Sequence, residues 1–381
     1  MQIRQACVSS LAALPAAAAP LAALNPDWVL VFAAPALLSE PGCFAALRQS
    51  FPGAVLLGCS TAGEISARGV DDATLNMTAV SWQYGRPVLA STRLDGMDDS
   101  EAAGQRLATQ LASSRPAGVL VFGQGVNING SALVAGLTTG LPPETPIMGG
   151  LAGDGAAFAR TWVLDNDGVH DDVVVAMALP AGLCIGHGSF GGWKPFGPAR
   201  RVTRCAGNVL FELDGEPALE VYKRYLGEHA ASLPASGLLF PFEMLGHDHN
   251  VLGLVRTILA VDESAGSLVL AGDIEQDGYL RLMHASTDAL VDGAEAAANA
   301  AHAMNQAPGD ALAILVSCVG RKLVMGGRID EEVEAVGDVL GQKAVLAGFY
   351  SYGEISPFLQ TTECRLHNQT MTISLVSDAG A

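Results

Sequence analysis

Two similar stretches near opposite ends of the chain carry residues that could do chemistry. Residues 58–66 read Gly-Cys-Ser-Thr-Ala-Gly-Glu-Ile-Ser, and residues 348–356 read Gly-Phe-Tyr-Ser-Tyr-Gly-Glu-Ile-Ser. Each stretch follows an apolar run, which predicts a buried strand that ends in a glycine-permitted turn with a carboxylate just beyond it. Because loops at strand ends carry many functional sites, both turns are candidate ligand-contact regions.

The first turn allows three interpretations. The Cys59 thiol, the hydroxyls of Ser60 and Thr61 and nearby backbone N–H groups could contact a ligand that glycine lets approach closely. Cys59 could instead be a nucleophile, which would need a histidine base beside it. Ser60 or Thr61 could also cap a helix. The second turn has Phe349 in place of Cys59, which weakens the nucleophile hypothesis and favours shared pocket architecture.

Glu64 and Glu354 occupy the same place in the two turns. As a pair they could be the acid and base of a hydrolase. The interpretation that we favour is that each carboxylate fixes its own turn by accepting backbone N–H groups. Where the turns differ, we expect ligand specificity. The complete set of predicted ligand-contact residues is Cys59, Ser60, Thr61, Glu64, Trp193, Phe349, Tyr350, Tyr352 and Glu354.

Trp193 enters that set because it lies on a loop rich in glycine and proline, where an aromatic ring can wall a pocket or simply pack. Three histidines are candidate metal ligands. His187 has small neighbours, His284 ends an apolar strand, and His367 lies on a strand expected beside the second turn. An isolated histidine is otherwise a satisfied or exposed side chain, and residues 247–249 offer too few ligands for zinc.

The elements that must position these residues are strand–helix–strand units. Apolar runs at 28–32, 118–122 and 311–318 each precede a helix and a second apolar strand. The second strands lead into the two turns and into residues 149–155, which form a looser third copy with small residues and then a carboxylate. We therefore predict an α/β fold of two related halves, with mixed β-sheets, βαβ-like units and flanking helices.

The domain plan has an N-terminal helix within residues 1–24, a first domain at 25–207 and a second at 208–381. Strands at 75–82 and 87–94 are expected to pair as a meander around a glycine turn. Residues 162–164 and 173–179 are expected to form a hairpin region. A long helix is predicted at 285–305, capped by Ser286 or Thr287.

Composition excludes several classes of partner. Among 381 residues, 50% are hydrophobic and 16% charged, which permits a large core, and the formal net charge is −18. Because the chain is acidic and has no basic stripe, we expect it to bind neither nucleic acid nor an anionic membrane surface. Seven scattered cysteines without a C-x-x-C pair favour free thiols and a cytoplasmic location. No apolar run predicts a membrane span.

Five stretches together give the chain a resemblance to the FIST family, which has an N-terminal and a C-terminal FIST domain. They are Gly58–Ile65, Gly149–Asp154, Glu212–Leu219, Ser317–Arg321 and Tyr352–Ile355. The resemblance implies a sensory domain, without enzyme activity, that binds a small ligand and signals through a separate histidine kinase or cyclic-di-GMP enzyme.

The chain is similar to the stand-alone members of this family that bind haem and sense nitric oxide (NosP-like). That resemblance implies haem b, with His187, His284 or His367 as the iron ligand. An amino acid or another small metabolite without haem is the alternative ligand, and a hydrolase using Cys59 or the Glu64/Glu354 pair is the alternative function. The sequence leaves a homodimer open.

Overall fold

Three βαβ units form the framework of the protein. The computed structural model describes residues 1–305, 307, 309–358 and 363–379. In the first part of the chain the elements are β1 (Gln2–Val8), α1 (Leu14–Ala22), β2 (Trp28–Ala33), α2 (Pro35–Leu38), α3 (Cys43–Ser50), β3 (Val55–Ser60), β4 (Glu64–Ser66), β5 (Gly69–Asp71), β6 (Leu75–Ser81) and β7 (Val88–Arg93).

The middle of the chain is mostly β-structure around two packed helices. Its elements are α4 (Ser100–Leu111), β8 (Gly118–Gly123), α5 (Gly130–Gly140), β9 (Ile147–Leu151), β10 (Val163–Leu164), β11 (Val169–His170), β12 (Val173–Leu179), β13 (Leu183–Phe190), β14 (Lys194–Pro195), β15 (Arg200–Ala206), β16 (Val209–Leu213) and β17 (Glu216–Pro217).

The last part holds an antiparallel sheet followed by the third βαβ unit. Its elements are α6 (Ala218–Leu226), β18 (Phe242–Leu245), β19 (Val251–Arg256), β20 (Ile258–Asp262), β21 (Ser267–Leu270), β22 (Tyr279–His284), α7 (Thr287–Met304), β23 (Ala311–Cys318), α8 (Val319–Met325), α9 (Asp330–Leu340), β24 (Ala344–Ser351), β25 (Gly353–Pro357), β26 (Cys364–His367) and β27 (Met371–Asp378).

Each βαβ unit contributes two parallel strands and one antiparallel neighbour to its own sheet. The parallel pairs are β2 with β3, β8 with β9, and β23 with β24. The antiparallel neighbours are β6, β12 and β27. The first strands of the three units are buried along their whole length, as their continuous apolar sequences predict.

A glycine sits at the same register position in the second strand of each unit. The facing pairs are Val31 with Gly58, Val121 with Gly149, and Leu315 with Gly348. A Cβ atom at any of the three glycines would strike the carbonyl oxygen of the residue that it faces. Glycine is therefore required here for the close approach of two backbones.

After each of these second strands the chain crosses into the sheet of another unit. From β3 it enters β4, which pairs with β24; from β24 it enters β25, which pairs with β9; from β9 it reaches β10, which pairs with β3. The exchange closes a ring of three, and the Gly149 stretch occupies the third equivalent place. β13 also pairs with β27. As a result, the sheet of β23 and β24 and the sheet of β8 and β9 each contain strands from the earlier and the later parts of the chain.

Three aromatic rings pack where the units meet. Phe32 lies 5.4 Å from Phe122 and 4.6 Å from Phe349 between ring centroids, and Phe122 lies 6.0 Å from Phe349. Beside them, a Cβ on Gly150 would lie 2.7 Å from the Gly353 carbonyl oxygen and 2.8 Å from the Val316 side chain, so these contacts require glycine. Phe349 and Cys59 are thus part of the central core.

The predicted fold class is confirmed, but several strand partners were predicted wrongly. β6 pairs with β1 and β2, whereas β7 pairs with β12 in a different sheet, so the two do not form a meander. β10 forms a hairpin with β11, and β12 lies in the sheet of β8. Apolar patterning specifies a strand and its buried face, but it does not specify the neighbour.

The N-terminal segment also differs from the expected single helix. Residues 2–8 form strand β1 at the edge of the first sheet, where alternate side chains remain partly exposed. Helix α1 begins at Leu14, with Pro15 in its first turn, where a missing N–H costs nothing. The division into domains at residues 207 and 208 stays a prediction.

Candidate ligand-binding site

The two predicted glutamates make matching contacts within their own turns. Glu64 accepts hydrogen bonds from the Thr61 hydroxyl and from both the hydroxyl (2.7 Å) and the N–H (3.0 Å) of Thr74. Glu354 accepts them from the Ser351 hydroxyl (2.7 Å) and from the hydroxyl (3.0 Å) and N–H (3.2 Å) of Thr370. Each carboxyl joins its turn to the start of the next long strand.

These contacts hold the turns in place and do not assemble an acid–base pair. Each glutamate is held by groups of its own unit, and the two make no hydrogen bond to each other in the described part of the chain. Burial raises the pKa of Glu64 and raises that of Glu354 to about 8. At neutral pH the Glu354 carboxyl is therefore mostly protonated.

Cys59 has the surroundings of a structural thiol. It is buried in the central core, and burial raises its pKa well above the ordinary value. A nucleophilic cysteine needs the opposite shift, since the thiolate is the reactive form. Its neighbour Ser60 donates a hydrogen bond to the Gly153 carbonyl (2.8 Å) and accepts one from the Trp162 N–H (2.9 Å). Ser60 thereby ties the first turn to the third.

The two tyrosines of the second turn also connect the units. The Tyr350 hydroxyl donates to Glu332 on α9 at 2.5 Å. The Tyr352 hydroxyl donates to Asp154, and its ring stacks on Phe158 at 4.2 Å. Through these contacts, both tyrosines pack at the junction of the units and have a structural role there.

The Trp193 loop walls a cleft of about 440 Å³ between the third unit and the antiparallel sheet. The Trp193 ring N–H donates to the Gln369 carbonyl at 2.7 Å, which fixes the ring against the turn between β26 and β27. The side chains that line the cleft are mainly apolar or aromatic: Phe190, Trp193, Leu254, Val255, Met283 and Phe358. Such a lining with a few polar groups is typical of small-molecule sites.

His367 lies in the wall of this cleft. Its Nε2 atom is 3.0 Å from the Ser356 carbonyl oxygen, so Nε2 carries the proton and donates. Burial lowers the pKa of the imidazole to about 4, so the ring is neutral at physiological pH and Nδ1 keeps its lone pair. His367 also faces Glu354 across the β25–β26 pair, which places the second turn next to this wall of the cleft.

Strand β13 carries two buried polar atoms without a described partner. Ser189 lines the cleft from β13, and its Oγ is buried without a partner in the described structure. His187 lies two residues earlier on the same face of β13; its Nδ1 also lacks a partner there, and burial lowers its pKa. β13 packs across from β25, the strand that carries Glu354.

The third candidate histidine lies elsewhere. His284 is exposed at the end of β22, where it pairs with Lys194 and its ring packs edge-on against Phe196 at 5.6 Å. The described residues contain no group of three or more His, Cys, Asp or Glu side chains that could hold a metal ion.

Arg321 fixes the wall of the cleft from behind. It is fully buried, pairs with Glu332 at 2.7 Å, and donates to the carbonyls of Gly191 (2.5 Å) and Leu290 (2.9 Å). Gly191 begins the Trp193 loop, so this ion pair holds the loop between α7 and α9. The Ser317–Arg321 motif was noticed in the sequence, but its long-range partners could not be read from it.

Thr61 and Glu64 line a different cleft, of about 520 Å³, at the ends of β2 and β3. Lys322 lies at its rim, donating to the Ala62 carbonyl at 2.8 Å and pairing with Asp72 at 2.5 Å. The residues predicted to contact ligand are therefore divided between this cleft, the Trp193 cleft and the core. Val255, Leu254 and Phe358 were missed, because nothing in their local sequence shows which surface the antiparallel sheet covers.

The geometry defines an α/β protein in which an aromatic cleft lies beside a repeated turn. Family models give the class its name: residues 27–216 match the FIST N domain and residues 218–357 match the FIST C domain. The chain belongs to the FIST family. FIST domains are sensor domains of signal transduction that bind small ligands, and they are sensory rather than catalytic.

A curated relative is the uncharacterized protein MJ1623 of Methanocaldococcus jannaschii. It is 25% identical over 202 residues, which cover 49% of this chain and 38% of that protein. Within the described residues, no helix of this chain has both the length and the apolar character needed to cross a membrane.

Proposed function

We propose that this chain is a cytoplasmic sensor that binds haem b in the Trp193 cleft and detects nitric oxide, with His367 as the iron ligand. The resemblance to NosP-like proteins suggests the cofactor. We choose His367 because its imidazole is buried and neutral and lies in the wall of an apolar cleft.

The surroundings of His367 suit a metal ligand. Histidines that bind metals usually donate their second ring N–H to a carbonyl or carboxylate, which fixes the ring and its tautomer. Here Nε2 donates to Ser356, so Nδ1 is the atom that would hold iron. The Phe358 ring packs edge-on against the imidazole at 5.2 Å and restrains it further.

The cleft supplies the rest of a planar, apolar site. Trp193, Phe190 and Phe358 would contact the porphyrin faces, and Arg321 keeps the Trp193 loop in position. Glu243 at the rim is already paired with Arg281 at 2.6 Å, so its charge is compensated. When bound, haem iron supplies the coordination position at which nitric oxide binds.

The signal would leave through a separate protein. The proposed partner is a histidine kinase or a cyclic-di-GMP enzyme. For the chain to act on this partner, as a monomer or as a homodimer, ligand binding must change an exposed surface. The Trp193 loop is the candidate route for the signal, because Arg321 links it directly to α7 and α9.

Absorption spectroscopy after haem reconstitution tests the proposal. We expect a Soret band that shifts when nitric oxide is added and that is lost or displaced in His367→Ala. His284→Ala is the matched control, since His284 is exposed and outside the cleft. A chain that retains no haem, or a spectrum unchanged by His367→Ala, contradicts the proposal.

An amino acid or another small metabolite is the second candidate ligand. The unpaired Ser189 Oγ in the wall of the cleft favours it, because it offers a hydrogen bond that haem would not need. Titration calorimetry of the haem-free chain against amino acids, with Ser189→Ala as the variant, tests this candidate. No heat of binding for any amino acid counts against amino acids as the ligand.

A further inference from the structure

A third cleft, of about 500 Å³, lies between helix α5 and the antiparallel sheet. Arg256 of β19 and Ser131 of α5 line it, whereas Trp193 and His367 do not. Arg256 is only 4% exposed, which is unusual for a charged side chain.

The guanidinium of Arg256 is incompletely satisfied. Its Nε donates to the Asp273 carbonyl at 3.0 Å, and one terminal nitrogen donates to the carbonyls of Val255 (3.2 Å) and Leu366 (3.3 Å). The other terminal nitrogen has no hydrogen-bond partner in the part of the chain that the structure describes. The Asp273 carboxylate attracts the guanidinium electrostatically, but no described carboxylate forms a direct ion pair with it. A buried charge without a direct ion pair is costly, so such a group calls for an explanation.

The other groups around Arg256 point to the same ligand chemistry. Ser131 is in the first turn of α5, an 11-residue helix, and its Oγ is buried without a partner in the described structure. A Cβ placed on Gly272 would lie 2.9 Å from Ser131 Oγ and 3.0 Å from Arg256 Cζ. The hydroxyl and the guanidinium therefore lie side by side against Gly272. They are near a helix N-terminus, which favours anions.

Acidic side chains also line this cleft, and their partners are known. Asp273 accepts a hydrogen bond from Asn129 at 2.9 Å, and Glu363 pairs with Arg365. Glu101 and Glu275 are exposed at the rim. The acids lie around the opening or are paired, whereas the arginine is buried in the wall.

We propose that the α5–β19 cleft is a second ligand site, which takes a small oxyanion, a carboxylate or a phosphate, on Arg256 and Ser131. Its occupant would neutralise the buried guanidinium and satisfy the Ser131 hydroxyl together. Anion binding at this site does not require that haem is bound.

Thermal unfolding of the haem-free chain in inorganic phosphate and, separately, in malonate tests this site at constant ionic strength. We expect a saturable rise in Tm with at least one anion; the anion that gives it tells a phosphate site from a carboxylate site. Arg256→Gln should lower the affinity for that anion by about tenfold or more, because a charge-assisted hydrogen bond is lost. Arg204→Gln, an exposed arginine paired with Glu212 on the same sheet, is the matched control.

Two milder variants keep the test decisive if Arg256→Gln does not fold. Ser131→Ala removes only the unpaired hydroxyl, and Gly272→Ala places a methyl group against both binding groups. Both substitutions should lower the affinity for the anion by several-fold, and both variants should fold when no anion is present. No saturable effect of either anion on the wild-type chain, or the same anion affinity in all three variants, overturns the proposal.

Discussion

At the scale of single residues, the repeated glutamates show how a pattern can suggest catalysis and yet serve structure. Glu64 and Glu354 each accept a hydroxyl from their own turn and two groups from one threonine. Charge is not needed for this, since a protonated carboxyl can hold the same partners if a hydroxyl turns to accept. Burial makes that form the stable one for Glu354.

The raised pKa of Glu354 predicts a pH-dependent stability. The folded chain binds this proton up to about pH 8, whereas the unfolded carboxyl loses it near its ordinary pKa of 4.5. Glu354 therefore makes its full contribution to the free energy of unfolding below pH 4.5. This contribution is lost as the pH rises towards 8, by about 1.4 kcal/mol per pH unit. Denaturant unfolding of wild type and Glu354→Gln from pH 5 to 8 measures it.

In that series the glutamine variant should lose less stability than the wild type as the pH rises. The His367 imidazole acts on the acid side: its pKa is lowered, so its contribution is lost as the pH falls from 6.5 towards 4. Parallel pH profiles for wild type and Glu354→Gln would mean that Glu354 is ionised in the folded chain.

Cys59 gives a second prediction at this scale. Because its thiol is buried and protonated, we expect Cys59→Ala to lower the free energy of unfolding by about 1–3 kcal/mol and to leave haem binding unchanged. Urea unfolding and the Soret titration measure the two effects. Loss of haem binding in a fully folded Cys59→Ala chain would show that Cys59 is part of the ligand-binding site.

The sequence predicted part of the candidate site because some residues carry local signs of their role. Trp193 stands on a glycine- and proline-rich loop, and His367 stands on a strand beside the second turn. Leu254 and Val255 carry no such sign, because they reach the cleft only when β19 packs against the third unit. Arg256 was missed for the same reason: its burial depends on tertiary packing.

At the scale of elements, one device recurs three times: a second strand whose glycine faces a backbone carbonyl, followed by a crossing into another sheet. The sequence similarity of residues 58–66 and 348–356 follows from this shared geometry. The continuous apolar runs predicted the strands well. They could not predict that β4, β10 and β25 leave their own units, since a strand edge accepts any partner of suitable register.

Gly348→Ala tests this device without a change in backbone preference. The new methyl group would strike the Leu315 carbonyl, so we expect a loss of at least about 3 kcal/mol in unfolding free energy. Gly337→Ala on α9 is the control: its Cβ would lie 3.7 Å from Leu346, and alanine favours a helix by about 0.5–1 kcal/mol. Similar stability of the two variants would show that the strands can separate to admit a side chain.

At the scale of the whole molecule, the ring of exchanged strands makes the two family domains depend on each other. β4, β5 and β13 complete the sheet of β23, β24 and β27, and β25 and β26 complete the sheet of β8 and β9. Neither part of the chain can close its sheets alone. The buried Arg321–Glu332 pair adds a further link between the Trp193 loop and α9.

Separate expression of residues 1–207 and 208–381 tests this dependence. We expect neither fragment to show a cooperative thermal transition alone, because each would expose unpaired strand edges, and we expect the mixture to regain one. Circular dichroism and size-exclusion chromatography measure the recovery, with the intact chain as reference. A cooperative transition in either isolated fragment would establish it as an autonomous domain.

The haem affinity of wild type, His367→Ala and His284→Ala tests the central claim most directly. Our account predicts that His367→Ala weakens haem binding by about tenfold or more, while the exposed His284→Ala variant binds as the wild type does. Equal affinity in the three chains, or no haem binding by the wild type, would contradict the account.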